Sequence, residues 1–143
     1  MTTSSPQRPV VAIRVFAADA QNRILLLRRA HSEYGDGQWC LPGGKLDYCD
    51  TPENTVSKEL AEETALVAKD VAFLFYQNSL PLQPGKMHCL NLYFRCTATG
   101  AVTLNEESSE FVWVTLQEAL GYEPVFGAQA AIKRVMEQAK GSL

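Results

Sequence analysis

A well-marked helix start in the middle of the chain, with short apolar segments on both sides, constrains the fold most. Thr51 is a suitable N-cap, Pro52 suits the first helical position, and Glu53 places a carboxylate in the first turn. These signals predict a helix from Pro52 to about Leu66. The segments on either side are rich in β-branched and aromatic residues, which favour strands. The sequence therefore predicts a sheet against which this helix packs.

The remaining elements follow from the apolar periodicity and from turn residues between the segments. Strands are predicted at Val10–Ala18, Ile24–Leu27, Trp39–Leu41, Val71–Leu80, Met87–Ala98 and Glu110–Thr115, a helical turn at Leu116–Leu120 and a helix at Ala128–Ala139. This mixture indicates a mixed sheet covered by helices. The polar composition of residues 1–8 predicts a flexible tail. Because the 143 residues contain no repeat and no domain boundary, we expect one domain at residues 9–143.

Composition narrows the classes of partner. A net charge of −3 leaves no broad basic surface for a nucleic acid polymer, so we expect none. No apolar run approaches the roughly 20 residues of a membrane span, and the first residues do not resemble a signal peptide. The four cysteines form no CxxC pair, which favours reduced thiols over a zinc site or a disulfide. We therefore expect a cytoplasmic protein without a membrane partner, and leave open whether it forms a homodimer.

Three carboxylates on the predicted helix stand out. At about 100° per residue, Glu59, Glu62 and Glu63 fall within roughly 100° of arc, beside an apolar stripe of Val56, Leu60 and, if the helix continues, Val67. Like charges at this spacing repel each other unless they are solvated or share a cation. The pattern is thus either a solvated acidic face or a site for a hard ion such as Mg²⁺ or Mn²⁺.

A diglycine precedes this helix. Gly43 and Gly44 lie between a predicted strand and the helix, where missing Cβ atoms let a backbone approach a ligand closely. A tight turn explains two glycines equally well. The diglycine, the helix start and the carboxylates in one register form a stronger pattern than any of them alone.

That register resembles the Nudix box, Gly-x5-Glu-x7-Arg-Glu-U-x-Glu-Glu-x-Gly-U, in which U is a bulky aliphatic residue. The positions that match are Gly44, Glu59, Leu60, Glu62, Glu63 and Leu66. Asp50, Lys58 and Ala65 depart from it, standing where the box has Glu, Arg and Gly. We expect Ala65 to matter least, provided that its φ is negative. The segments at residues 39–44 and 113–114 also resemble the family, so the likeness spans most of the chain.

The resemblance implies an α/β fold, the Nudix-type α/β/α sandwich with a mixed sheet flanked by helices. It also implies a Mg²⁺- or Mn²⁺-dependent hydrolase in which water attacks phosphorus in a nucleoside diphosphate linked to another moiety. Glu59 and Glu63 would be the main metal ligands, and Glu62 a further ligand or a base acting through water. The carbonyl of Gly43 would help to hold the ion, with Asp50 and Lys58 supporting the network.

Further candidates lie outside the helix. Glu107 and Glu110, preferred over Glu106, precede the Trp113 strand, where the family often supplies another catalytic carboxylate. The candidates for substrate binding are Arg28, Lys45, Gly44 and Trp39, with Arg29 as a second arginine and with Tyr34, Phe75, Tyr76 and Tyr93 as aromatic residues that either stack on a base or fill the core.

The sequence leaves the substrate open among nucleoside triphosphates, nucleotide sugars, ADP-ribose and dinucleoside polyphosphates. Two other classes also stay open. One is a nucleotide sensor that keeps this fold with weak or no turnover, and the other is a structural protein with an acidic helix and no ligand.

Overall fold

The structure is a computed structural model, and it describes residues 7–32, 35–122 and 127–141. Most of the predicted tail and Tyr34 lie outside these residues. The strands are β1 Val10–Ala18, β2 Ile24–Arg29, β3 Trp39–Cys40, β4 Gly43–Lys45, β5 Val67–Ser79, β6 Cys89–Thr99 and β7 Ser108–Val114. The helices are α1 Pro52–Thr64, α2 Leu116–Ala119 and α3 Ala128–Gly141, with a 3₁₀ turn at Leu120–Tyr122 after α2.

The seven strands form one mixed sheet. Its order is β3-β2-β1-β6-β5, with β4 paired to β1 and β7 paired to β2. The pairing of β1 with β6 is parallel, whereas the other pairings are antiparallel. Successive side chains of a strand point to opposite faces, so each strand of the sheet can supply two layers of core.

Helices cover both faces of the sheet. On one face, Val56 and Leu60 of α1 are fully buried against Ile13, Val15 and other strand residues. On the other face, α2 and α3 pack on the residues that alternate with these; this second core layer includes Phe16, Leu26, Ala131 and Ile132. The α/β/α arrangement expected from the sequence is confirmed. No helix in the described part of the chain is both long and apolar enough to span a bilayer.

Helix α1 begins where the sequence predicts and ends earlier. Thr51 is the N-cap, and its hydroxyl accepts a hydrogen bond from the N–H of Asn54 at 3.1 Å. The helix stops at Thr64 because Ala65 adopts a left-handed conformation with φ of +64°. The condition of a negative φ at Ala65 therefore fails. Val67 belongs to β5 and is 57% exposed, so its assignment to the apolar stripe of α1 was wrong.

The diglycine is part of the sheet rather than a loop. Gly43 pairs with Arg14 and Gly44 pairs with Ile13 in the β1–β4 ladder. A Cβ on Gly43 would lie 1.9 Å from the backbone oxygen of Ile13, a separation that no side chain tolerates. Gly43 is thus required for β4 to lie against β1, and this pairing fixes the diglycine beside α1.

Candidate active site

Glu59 and Glu63 of α1 meet the diglycine strand. A Cβ on Gly44 would lie 2.6 Å from Cδ of Glu59 and 2.8 Å from both of its carboxylate oxygens. The carboxylate of Glu59 therefore lies directly over the Cα of Gly44. Glu63 is 7% exposed and accepts a hydrogen bond from the backbone N–H of Gly43. The two carboxylates also contact each other.

Burial and mutual repulsion perturb both acids. Burial, followed by the charges of Glu59 and Glu107, raises the pKa of Glu63 to about 9, although the Gly43 N–H and Arg14 oppose the shift. Burial and the charges of Glu62 and Glu107 also raise the pKa of Glu59. In the absence of a cation the surroundings therefore favour the protonated form of Glu63, whereas a bound cation would favour the ionised form of both acids.

Glu62 departs from the expected cluster. Its side chain is exposed, although its charge acts on Glu59. Within the described ranges, no three His, Cys, Asp or Glu side chains are arranged so as to hold one metal ion. The expected convergence of three helical carboxylates is therefore reduced to the pair of Glu59 and Glu63. A pair fits Mg²⁺, because this ion usually keeps several waters and takes one or two protein carboxylates together with substrate phosphates.

Glu107 approaches the pair from the connection between β6 and β7. Its charge acts on both Glu59 and Glu63. Glu110, the other preferred candidate, instead forms an exposed ion pair with Arg28 at 3.4 Å across the β2–β7 ladder. The structure thus brings Glu107 to the site and pairs Glu110 with Arg28.

Asp50 and Lys58 link the segment after β4 to α1. The ammonium of Lys58 donates to Asp47 at 2.7 Å and to Asp50 at 3.2 Å. Asp50 also accepts hydrogen bonds from the side chain of Asn54 and the N–H of Thr51. Asp50, although one methylene shorter than Glu, therefore reaches Lys58, and both residues support the helix start. The charge of Lys58 also acts on Glu59.

A cleft of about 1060 Å³ opens beside the carboxylates. Ligand pockets commonly measure roughly 300–1,000 Å³, so a nucleotide can enter it. The wall of the cleft includes Glu63, the diglycine and Glu107. It also includes Lys45, one of the candidates for substrate binding. The connection between β5 and β6 also lines the cleft, with the exposed apolar residues Leu80, Leu82 and Met87.

The cleft separates the sequence candidates into two groups. Arg29 and Lys45 line it, whereas Arg28 donates to the carbonyl of Gly37 and pairs with Glu110. Trp39 packs edge-on against Tyr122, with ring centroids 5.1 Å apart, and so belongs to the second core layer. Among the other aromatic candidates, Phe75 and Tyr93 are buried in that same core layer, and Tyr76 is exposed.

Two residues of the cleft were missed in the sequence. Arg14 lies in β1 and Asn91 in β6, and both line the cleft. Each is a polar residue inside an otherwise apolar strand segment. Because polar groups are costly to bury, that interruption is the signal that could have identified them.

Comparisons with known proteins identify the family of this chain. The NUDIX domain family model matches residues 7–138. A MutT-like protein of Streptomyces ambofaciens is 32% identical over 117 residues, which cover 80% of this chain and 70% of that protein. The crystal structure of the MutT protein from Methanosarcina mazei Go1 superposes with a TM-score of 0.78 at 26% identity, covering 95% of this chain and 99% of that one.

A further structure shows the same fold at lower identity. The NUDIX domain of Shewanella oneidensis NrtR, solved in complex with ADP ribose, has a TM-score of 0.77 at 21% identity over 93% of this chain and 90% of that one. The family match, the MutT-like relative and the carboxylates over a diglycine strand lead to one conclusion: the chain belongs to the Nudix family and is a MutT-like Nudix hydrolase.

Proposed function

We propose that this protein hydrolyses a nucleoside diphosphate linked to another moiety, by attack of water on phosphorus, with Mg²⁺ or Mn²⁺ as cofactor. The observation that carries the proposal is the pair of Glu59 and Glu63 against the diglycine strand, at one end of a nucleotide-sized cleft. Hard divalent cations prefer such oxygen ligands, and an ion there would offset the burial and the neighbouring charges that raise the pKa of both acids.

The residues of the site have different proposed roles. Glu59 and Glu63 would hold the ion, with the carbonyl of Gly43 as a further ligand. When bound, the divalent ion lowers the pKa of water and polarises phosphoryl oxygens. Glu62 and Glu107 are exposed carboxylates whose charges act on Glu59, so either can accept the proton of the attacking water.

The cleft supports a small-molecule substrate. Lys45 and Arg29 add positive charge to its wall, where they would contact phosphate oxygens. The complex of the Shewanella oneidensis domain with ADP ribose supports a nucleotide derivative as the ligand of this fold. A cytoplasmic location and the absence of a nucleic acid partner stay predictions from the sequence, and the formation of a homodimer stays open.

A substrate panel tests the proposal directly. Purified protein is incubated with a nucleoside triphosphate, ADP-ribose, a nucleotide sugar and a dinucleoside polyphosphate, each with Mg²⁺, with Mn²⁺ and with EDTA. We expect release of a nucleotide and a second phosphorylated product from at least one of them, and none with EDTA. Absence of products from the whole panel would contradict the proposed hydrolysis.

The variant Glu63→Gln tests the metal ligand. Because the amide removes a charged ligand, we expect the rate to fall by about 10²- to 10⁴-fold with saturating Mg²⁺. Glu53→Gln is the matched control, since Glu53 lies on the same helix in its exposed first turn. Full activity in Glu63→Gln would refute the assigned role.

A further inference from the structure

Three polar side chains form a continuous chain across the sheet beside the cleft, here called the polar relay. The Nε of Arg14 donates to Oδ1 of Asn91 at 3.3 Å, and Nδ2 of Asn91 donates to Oγ of Ser79 at 2.9 Å. These residues come from β1, β6 and β5, which are neighbours in the sheet. All three line the cleft.

Asn91 is the member of the polar relay whose burial costs the most free energy. It is 1% exposed, on the sheet face whose other residues include the apolar Phe16 and Phe75. Burying an amide costs free energy unless its donors and acceptors are satisfied. Ser79 takes an N–H of the amide, which fixes the carbonyl towards Arg14. The arrangement therefore fixes the direction in which the guanidinium of Arg14 lies.

Arg14 is close to the carboxylate end of the cleft. Its backbone pairs with Gly43 in the β1–β4 ladder. Its positive charge opposes the burial and the carboxylate repulsion that raise the pKa of Glu63. It also acts on the nearby thiol of Cys40, another residue of the cleft wall. A phosphate group held at the carboxylate pair would therefore lie beside this guanidinium.

We propose that Arg14 binds a phosphate group of the substrate next to the carboxylate pair, and that Asn91 is the positioning residue that orients it. A guanidinium suits this ligand because its planar N–H groups match the geometry of phosphate oxygens. The inference rests on the proposed function, since it concerns the same cleft. It adds a phosphate subsite built from β1, β5 and β6, outside the diglycine and α1.

The polar relay predicts a characteristic split in the kinetics. A contact to phosphate that is made equally in the bound substrate and in the transition state changes KM and leaves kcat nearly constant. We expect Arg14→Ala to raise KM by about 10- to 100-fold, the scale of a lost charge-assisted hydrogen bond. Arg14→Lys, which keeps the charge without the planar fork, should recover part of this loss.

Asn91→Leu tests the positioning role through a double-mutant cycle. Because Asn91 is proposed to act through Arg14, Asn91→Leu should raise KM by about 5- to 10-fold in the native background and have no further effect when combined with Arg14→Ala. Thr97→Val is the control on the same strand. Thr97 is an exposed residue of β6 outside the cleft and the polar relay, so this variant should leave KM unchanged.

Calorimetry in the presence of Mg²⁺ measures the binding of inorganic pyrophosphate. It tests the proposed phosphate subsite without requiring turnover. We expect the native protein to bind pyrophosphate, and the variants Arg14→Ala and Asn91→Leu to bind it more weakly. The affinity of each variant for Mn²⁺ without pyrophosphate should stay within about 3-fold of the native value. If Asn91→Leu does not fold, Ser79→Ala replaces it, with a smaller change in the same direction. A fall in kcat alone, additive effects in the cycle, or unaltered pyrophosphate binding in Arg14→Ala would overturn the inference. Failure of the substrate panel alone would overturn only the proposed hydrolysis.

Discussion

The alanine at the end of α1 occupies a position that suits glycine. Ala65 has φ of +64°, and its N–H donates to the carbonyl of Ala61 at 2.9 Å. In this left-handed conformation the Cβ of an L-residue crowds the backbone, whereas glycine has none. Helices therefore commonly end with glycine in this conformation. The Nudix box also has glycine here, whereas this chain carries an alanine whose Cβ strains the left-handed backbone.

Ala65→Gly should therefore stabilise the protein. We expect the free energy of unfolding to rise by about 1 kcal/mol, because the relief of left-handed strain exceeds the added flexibility of the unfolded chain. Ala61→Gly is the control on the same helix. Ala61 is exposed and helical, so the same substitution should lower stability by about 1 kcal/mol. Urea denaturation measures both, and equal signs for the two variants would contradict the assigned conformation of Ala65.

The connection between β6 and β7 is the element that completes the carboxylate site. The N–H of Thr103 donates to the carbonyl of Thr64 at 2.9 Å, and the side chain of Asn105 donates to the carbonyl of Glu62 at 3.2 Å. The same Asn105 accepts from the N–H of Glu107, whose carbonyl accepts from Ala30 at the end of β2. The connection is thus tied to the last turn of α1, and Glu107 is held where its charge acts on the buried pair.

Two neighbouring glutamates of this connection should behave differently. Glu107→Gln should lower kcat by about 10- to 10²-fold, because it removes a carboxylate that can accept a proton or hold a metal-bound water. Glu106→Gln should have no effect, since this residue is exposed and its charge is not among those that raise the pKa of Glu59 and Glu63. Steady-state kinetics at saturating Mg²⁺ separate the two. Equal rates for both variants would remove Glu107 from the site.

Asn105→Ala tests the connection itself. Removing the amide deletes its bonds to Glu62 and Glu107 while leaving both glutamates intact. We expect a loss of activity smaller than that of Glu107→Gln, about 3- to 10-fold, since a misplaced group retains part of its effect. A melting temperature close to the native value would show that the loss comes from position, and native activity would show that the tether is dispensable.

The parts of the molecule that the sequence predicts are those encoded locally. The bounds of β1 and the start of α1 follow from apolar periodicity, from Thr51 and from Pro52, and the structure confirms them. By contrast, Gly43 lies in a strand because it pairs with β1. The residues next to the diglycine do not indicate this pairing, so the strand could not be predicted from them. The start of β5 was likewise missed, because it depends on the left-handed turn at Ala65.

The site residues also differ in whether local sequence or the pairing of distant strands determines their positions. Helical spacing predicted that Glu59, Glu62 and Glu63 share one face of α1, since three to four residues separate neighbours on a helix face. The resemblance to the Nudix box then singled out Glu59 and Glu63 as the main ligands. The choice between Arg28 and Arg29 was not predictable in this way, because a register shift in the β2–β7 ladder lies between them. A bulge of this kind re-aims side chains, and it depends on the pairing of distant strands.

Charge in the cleft should make the stability of the metal-free protein depend on pH. Because the pKa of Glu63 is raised to about 9, the folded state holds a proton that the unfolded state releases near its ordinary pKa of 4.5. The contribution of this group is fully present below pH 4.5 and is lost as pH rises through about 9. The raised pKa of Glu59 acts in the same direction.

We therefore expect the melting temperature of the EDTA-treated protein to fall from pH 6 to pH 8.5. The carboxyls with lowered pKa values are already ionised over this interval and add no slope; they are Asp19, Asp50 and Glu118. Mg²⁺ should flatten the decline, because it binds the ionised pair and only the folded state offers that site. Glu63→Gln should remove most of the slope and most of the response to Mg²⁺, whereas Glu53→Gln should keep both. A melting temperature of native protein that is constant or rises between pH 6 and pH 8.5 without metal would show that the folded state does not hold this proton, and the raised pKa of Glu63 would then be wrong.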